Sequence, residues 1–165
     1  MENSHYQKVK DMVKKVIDEN FIKEPPVNIR KLVLNYGLDL QFAVFGDNKI
    51  CGFLDINEKK IWVNYNDNSK RQNFTIAHEL GHWLLHREDI EKDPKSYKVL
   101  FRYPLGQTTD IRETEANKFA ANLLVPTEML KVCKKAKFSE EKMSVLFHVS
   151  PTVISYRLQQ EGIDD

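Results

Sequence analysis

The residues of this chain best suited to do chemistry are His78, Glu79 and His82, which form the pattern H-E-x-x-H. On an α-helix, positions four apart lie one above the other on the same face. Two imidazoles so placed can close on one metal ion, with Zn–N distances of about 2.0–2.1 Å. Glu79 is turned about 100° around the helix from His78, which keeps it from joining the same coordination sphere head-on. It can still reach a water held in the metal's open position, the place of a general base. The bare pattern arises by composition in about one chain in a hundred, so its surroundings must carry the argument. Phe74, Ile76, Ala77, Leu80, Trp83, Leu84 and Leu85 make the flanks apolar on nearly every side, as in a helix buried within a core. Two histidines and a glutamate buried there without partners cost on the order of several kcal/mol. A metal removes that cost; core histidines bonded to backbone are the plainer alternative.

His86 continues the stripe, but at 1.5 Å rise per residue it lies about 12 Å from His78 along a straight helix. It cannot share an ion with both, and is expected beside a ligand or at the surface. The longer pattern H-E-x-x-H-x-x-G-x-x-H fails, because Leu85 and Glu88 stand at its Gly and last His places. A catalytic zinc keeps three protein ligands and one open position, so the third donor must come from another element. The segment after Asp110 offers Glu113 and Glu115. Asn117, one turn beyond Glu113, is placed to hydrogen-bond a ligand histidine. Each glutamate also has a plainer reading. With Asp110 as N-cap, Glu113 completes a capping box, and Glu115 is then an ordinary exposed helix carboxylate. The residue pattern alone leaves the two equal.

At 165 residues the chain suffices for one domain with a real core and leaves room for a small appendage. A net charge of +1 sets up no long-range field favouring nucleic acid or membrane. No run approaches the roughly 20 apolar residues that span a bilayer, and Met1 to His5 opens a polar amphipathic run rather than a signal peptide. Cys51 and Cys133 are too few and too far apart for a disulfide framework or a C-x-x-C zinc site, which predicts two reduced thiols in a cytoplasmic protein.

These elements must position the candidate site. Tyr6, Val9, Val13, Val16 and Ile17 recur at helical spacing and predict a first helix ending near Asn20. After Pro25-Pro26, residues 27–36 predict a short helix stopped by Gly37. Residues 38–45, 50–56 and 60–65 are short β-prone runs separated by turn compositions, which predicts three antiparallel strands in a meander. Asn68 or Ser69 is placed to cap the helix carrying H-E-x-x-H. Residues 87–109 are polar and irregular, and are expected as a loop forming one wall or lid of the cleft. A helix from Asp110 stops at Pro126, a short one follows over 127–133, and residues 143–160 have a helix–turn–helix cadence around His148-Val149-Ser150-Pro151.

The run Arg71-x-x-Phe74-Thr75-Ile76-Ala77-His78-Glu79-Leu80-Gly81-His82-x-Leu84-x-His86, followed by Glu113-x-Glu115-Ala116-Asn117-x-Phe119-Ala120-Ala121-x-Leu123-Leu124-x-Pro126, resembles the ImmA/IrrE family of bacterial metallopeptidases. The upstream Pro25-Pro26-Val27 and Gly37, and the tail Phe147-x-Val149-Ser150-x-x-x-Ile154-x-x-Arg157-Leu158, match as well, so the resemblance covers most of the chain. It implies an α+β fold: a zincin-like metallopeptidase core over residues 1–134 with a small three-stranded antiparallel sheet packed on helices, and a helical, helix-turn-helix-like C-terminal segment over 135–165. It also implies one Zn²⁺ per chain held by His78, His82 and Glu113, with Glu115 as the alternative third ligand, and Glu79 as general base. The family's association with helix-turn-helix repressors of mobile elements and stress responses implies that class of protein substrate. Tyr103, Arg102 and His86 are candidates to stabilise an oxyanion. The competing function is a non-catalytic regulatory or binding module built on the C-terminal helices. As a DNA reader that segment is poorly equipped, since Arg157, Gln159 and Gln160 are not a basic cluster.

Overall fold

In the computed structural model, which describes residues 2–97, 100–101 and 108–163, the elements run α1 (Glu2–Glu19), α2 (Ile29–Asn35), β1 (Asp39–Ala43), β2 (Ile50–Asp55), β3 (Lys60–Asn64) and α3 (Ser69–Lys92). A 3-10 turn (Pro94–Ser96), β4 (Leu100–Phe101), α4 (Ile111–Leu124), α5 (Thr127–Lys135), α6 (Glu140–Phe147) and α7 (Pro151–Glu161) complete the order. Together they form an α+β fold.

Local chemistry sets the helix starts. Asn68, in extended backbone, accepts a hydrogen bond from the Arg71 N–H at 3.0 Å and begins α3. Asp110 does the same for α4 through the Arg112 N–H at 2.9 Å. Ser139 and Ser150 cap α6 and α7, the latter with Pro151 at the first helical position.

The sheet is not the expected antiparallel meander. Its order is β1-β3-β2-β4, with β1 parallel to β3 and only β2–β3 and β2–β4 antiparallel. Residues 44–49 carry the chain from β1 past the place of its neighbour, and β3 inserts between β1 and β2. Alternating side chains and turn residues specify strands but not partners, because every strand edge presents the same N–H and C=O groups. The β2–β3 hairpin itself is local: Asp55 Oδ1 accepts from the Glu58 N–H, and Lys59 takes up φ 52° to close the turn.

Of the expected loop over residues 87–109, residues 98–99 and 102–107 lie outside the described residues, and the part up to Ser96 is largely helical. α3 continues to Lys92, with the Arg87 guanidinium 4.5 Å from the Trp83 ring and Ile90 buried. It stops where Asp93 precedes Pro94, a position that disfavours helical backbone. The 3-10 turn then delivers Tyr97 inward, and Leu100–Phe101 adds the fourth strand.

α3 is the axis of the core, packed by α4, α1, α2, β2 and β3. It lies so close to α4 that a Cβ on Gly81 would meet the Phe119 ring at 3.0 Å and Ala116 Cα at 3.3 Å. Val9, Leu32, Ile61, Ile76, Leu80, Phe119 and Leu123 share one apolar cluster with Met143, Phe147, Ile154 and Leu158 of the C-terminal helices.

Candidate metal centre

Four residues per 3.6-residue turn bring the His78 and His82 rings to one side of α3, and their Nε2 atoms stand 3.0 Å apart. Facing them across the α3–α4 contact is Glu113, with Oε2 at 3.3 Å from His78 Nε2 and Oε1 at 3.1 Å from His82 Nε2. The ligand atoms of His78, His82 and Glu113 all lie within 4.8 Å of one another. Glu113 does not close a capping box. The Asp110 N–H, which it would have taken, donates to Thr108 Oγ1 at 3.2 Å.

Glu115 faces elsewhere. Two residues along a helix turn a side chain by about 200°, and its carboxylate meets His86 Nε2 at 2.7 Å. Asn117 Oδ1 sits 2.9 Å from His78 Nδ1, and His82 Nδ1 sits 3.1 Å from His86 Nδ1.

These partners fix the histidine tautomers. The carbonyl oxygen of Asn117 can only accept, so His78 carries its hydrogen on Nδ1 and leaves a lone pair on Nε2. The Glu115 carboxylate likewise takes the hydrogen of His86 Nε2, which leaves His86 Nδ1 to accept from His82 Nδ1–H. His82 Nε2 is then also a bare lone pair. With both rings neutral, two lone pairs and a carboxylate confront one another in a buried space, an arrangement that favours a cation between them.

The electrostatics agree. His82, buried completely, is pushed down to about 4 by loss of solvent, against the pull of Glu113. For His78 burial acts the same way, but the Glu113 and Glu79 carboxylates outweigh it and raise its pKa. Burial would raise Glu113, yet the two imidazoles hold it well below the usual carboxylate range. One positive charge belongs here. A proton on His78 can supply it, and so can a metal ion.

Glu79 is fully buried, and that burial pushes its pKa up to about 7 against the pull of His78 and of Tyr97. Tyr97 donates its hydroxyl hydrogen to Glu79 Oε2 at 2.7 Å and accepts the Leu54 N–H at 2.6 Å. Glu79 Oε1 is buried with no hydrogen-bond partner among the described residues. Sequence reasoning missed Tyr97. The only signal was an aromatic with a hydroxyl just beyond Pro94, in a stretch read as loop. Of the oxyanion candidates, Tyr103 and Arg102 lie outside the described residues, and both ring nitrogens of His86 are already engaged.

The C-terminal helices do not offer their arginine to solvent. Arg157 is fully buried and donates to Val125 O, Thr127 Oγ1, Gln160 Oε1 and Glu161 Oε1.

A helix presenting two histidines and a carboxylic acid to a facing glutamate defines a metallohydrolase-type centre. Residues 34–159 match the family model Peptidase_M78, the IrrE N-terminal-like domain, and the chain belongs to the ImmA/IrrE family of metallopeptidases. It is 34% identical over 103 residues to Metallopeptidase ImmA of Bacillus subtilis (strain 168), covering 61% of this chain and 56% of that protein. It is 31% identical over 101 residues to the Uncharacterized immunity region protein 2 of Bacillus phage phi105, covering 60% of each. The chain thus spans less than two thirds of the length of these relatives. A Mycobacterium tuberculosis transcriptional regulator shares the fold, with a TM-score of 0.67 at 14% identity over 92% of this chain and 46% of that one.

Proposed function

We propose that this protein is a zinc-dependent endopeptidase of the H-E-x-x-H type. His78, His82 and Glu113 hold the ion, and Glu79 is the general base. The observation that carries this reading is the convergence of His78 Nε2, His82 Nε2 and the Glu113 carboxylate in a buried space. When bound there, zinc supplies Lewis acidity, acidifying a water and polarising a carbonyl.

The chain's own groups do the rest. Glu79, raised by burial, is basic enough near neutral pH to take a proton from a water. Oε2 is held by Tyr97, so Oε1 is the atom left to receive that proton and to pass it to the leaving amine nitrogen. Tyr97 thereby fixes the carboxylate and its orientation at once. Beside it runs a groove of about 620 Å³ lined by Phe53, Leu54, Ile56, Ile90, Pro94 and Tyr97, on which we seat the substrate chain.

For substrate we propose a helix-turn-helix repressor of a mobile element or stress response, acting in the cytoplasm. The family resemblance and the relative from a phage immunity region support this class. The two cysteines are buried and neither is in a disulfide, and no helix among the described residues is long and apolar enough to cross a membrane.

Metal content of the purified protein, measured beside repressor cleavage, tests the reading. One zinc per chain is expected in wild type and in Glu79→Gln, with cleavage by Glu79→Gln down about 10²–10⁴-fold. No bound metal after zinc is supplied would overturn the assignment, as would full cleavage by Glu79→Gln.

A further inference from the structure

Glu115, the carboxylate the metal centre leaves aside, sits in the middle of an unbroken line of side chains. His82 Nδ1 meets His86 Nδ1 at 3.1 Å, His86 Nε2 meets Glu115 Oε2 at 2.7 Å, and Glu115 Oε1 meets His5 Nδ1 at 2.7 Å. The line crosses three helices: His82 and His86 on α3, Glu115 on α4 and His5 on α1. It begins at a fully buried ring and ends at a His5 side chain that is 50% exposed. α1 lies outside residues 34–159, the span matched by the family model. The outer end of the line therefore comes from a part of the chain that the family match does not cover.

Each hydrogen along the line has one place to be. A carboxylate only accepts, so Glu115 takes one N–H on each oxygen, from His86 and from His5, and its plane is fixed by both. With its hydrogen on Nε2, His86 turns a lone pair to His82, which must then carry its own hydrogen on Nδ1. Take the acceptor at residue 115 away and this order loses its anchor. His86 can then carry its hydrogen on Nδ1, facing His82. His82 must answer by moving its hydrogen to Nε2, the atom aimed between His78 and Glu113. That tautomer cannot bind a metal there.

We propose that Glu115 and His5 are positioning residues: acting through His86, they hold His82 in the tautomer whose Nε2 is free, so that α1 contributes to metal affinity without touching the metal site. The inference rests on the metallopeptidase reading above. Partners of this kind orient ligand imidazoles in known metal sites, and their loss costs roughly 10–100-fold in metal affinity. Lys14 provides the contrast. It also lies on α1, but it bonds Asp18 of the same helix.

The test is the Zn²⁺ dissociation constant of the metal-free protein, by competition with a chromophoric chelator, together with the melting temperature before metal is added. Glu115→Leu should weaken Zn²⁺ binding by about 10–100-fold. Glu115→Gln, which keeps an acceptor for His86, should recover part of that loss. His5→Ala should weaken binding less, and its effect should vanish in the Glu115→Leu background, because contributions that pass through one residue do not add. If Glu115→Leu fails to fold, the same cycle is run with Glu115→Gln, in which the effect of His5→Ala should shrink. Lys14→Ala should bind Zn²⁺ as wild type does. With Co²⁺ in place of Zn²⁺, the visible band of the Glu115 variants should shift from that of wild type. Unchanged Zn²⁺ affinity in the Glu115 variants, with wild type binding tightly, overturns this inference and leaves the metallopeptidase reading intact. A wild type that binds no Zn²⁺ overturns both.

Discussion

Two buried polar centres lie at opposite ends of α4, and they differ in what they lack. Around Arg157 every partner is an acceptor: Val125 O at 3.1 Å, Thr127 Oγ1 at 2.8 Å, Glu161 Oε1 at 2.7 Å and Gln160 Oε1. One cation meets enough lone pairs and one carboxylate, so the charge is matched within the protein. At His78, His82 and Glu113 two ring nitrogens and a carboxylate converge, and in the proposed reading a metal ion supplies the cation. The first arrangement is complete and ties α7 to the α4–α5 corner. The second, on that reading, is completed by an added ion. A buried charge by itself therefore says little about function; the informative feature is whether the surrounding groups satisfy it.

The comparison breaks most decisively at Arg157. Removing it leaves Glu161 facing the core without its partner, and Arg157→Ala should cost about 3–5 kcal/mol in denaturant unfolding. If the centre is purely structural, the folded fraction of that variant should keep the Zn²⁺ affinity of wild type; a large loss of affinity would join the two centres. Adding the missing cation is the converse experiment. Zn²⁺ at 100 times its dissociation constant should stabilise wild type by about 2.7 kcal/mol, read as a raised melting temperature. Arg157→Ala should gain as much, and His82→Ala should gain nothing.

Gly81→Ala sharpens the comparison from the side of packing. Its new methyl would press on Phe119 and Ala116 and lever α4, with Glu113, away from α3. A loss of about 1–3 kcal/mol is expected, accompanied by weaker Zn²⁺ binding that Arg157→Ala does not show. The smallest effect is expected at Tyr97. Tyr97→Phe removes the hydrogen bond to Glu79 and the hydroxyl that accepts the Leu54 N–H, for about 1 kcal/mol of stability. Metal content should be unchanged while repressor cleavage falls. Equal cleavage would show that Glu79 needs no help in holding its orientation.

Much of this was legible in the sequence because it is local. The spacing of His78 and His82 on one helix, the Asn68 cap and the start of α4 at Asp110 all follow from neighbours within a few residues, where backbone geometry leaves little choice. That Asn117 shares a helix face with Glu113 was legible for the same reason, whereas its bond to His78 crosses the fold. The limits appear wherever contact crosses the fold. β1 pairs with β3 rather than β2, since strand edges are chemically alike. Tyr97 reaches Glu79 only because α3 runs on to Lys92 and a 3-10 turn redirects the chain inward.

The two glutamates of α4 mark the division between sequence and fold. By itself the sequence determined that a carboxylate from this helix could meet the histidines, because the helix offers Glu113 and Glu115 within one turn. Only the tertiary structure decided between them. The contact of Gly81 with Ala116 and Phe119 sets how α4 lies against α3, and that angle turns Glu113 to His78 and His82 and Glu115 to His86 and His5. Helical periodicity fixes the angle between two side chains on one helix; it leaves open which of them faces a neighbour, and that is set by packing.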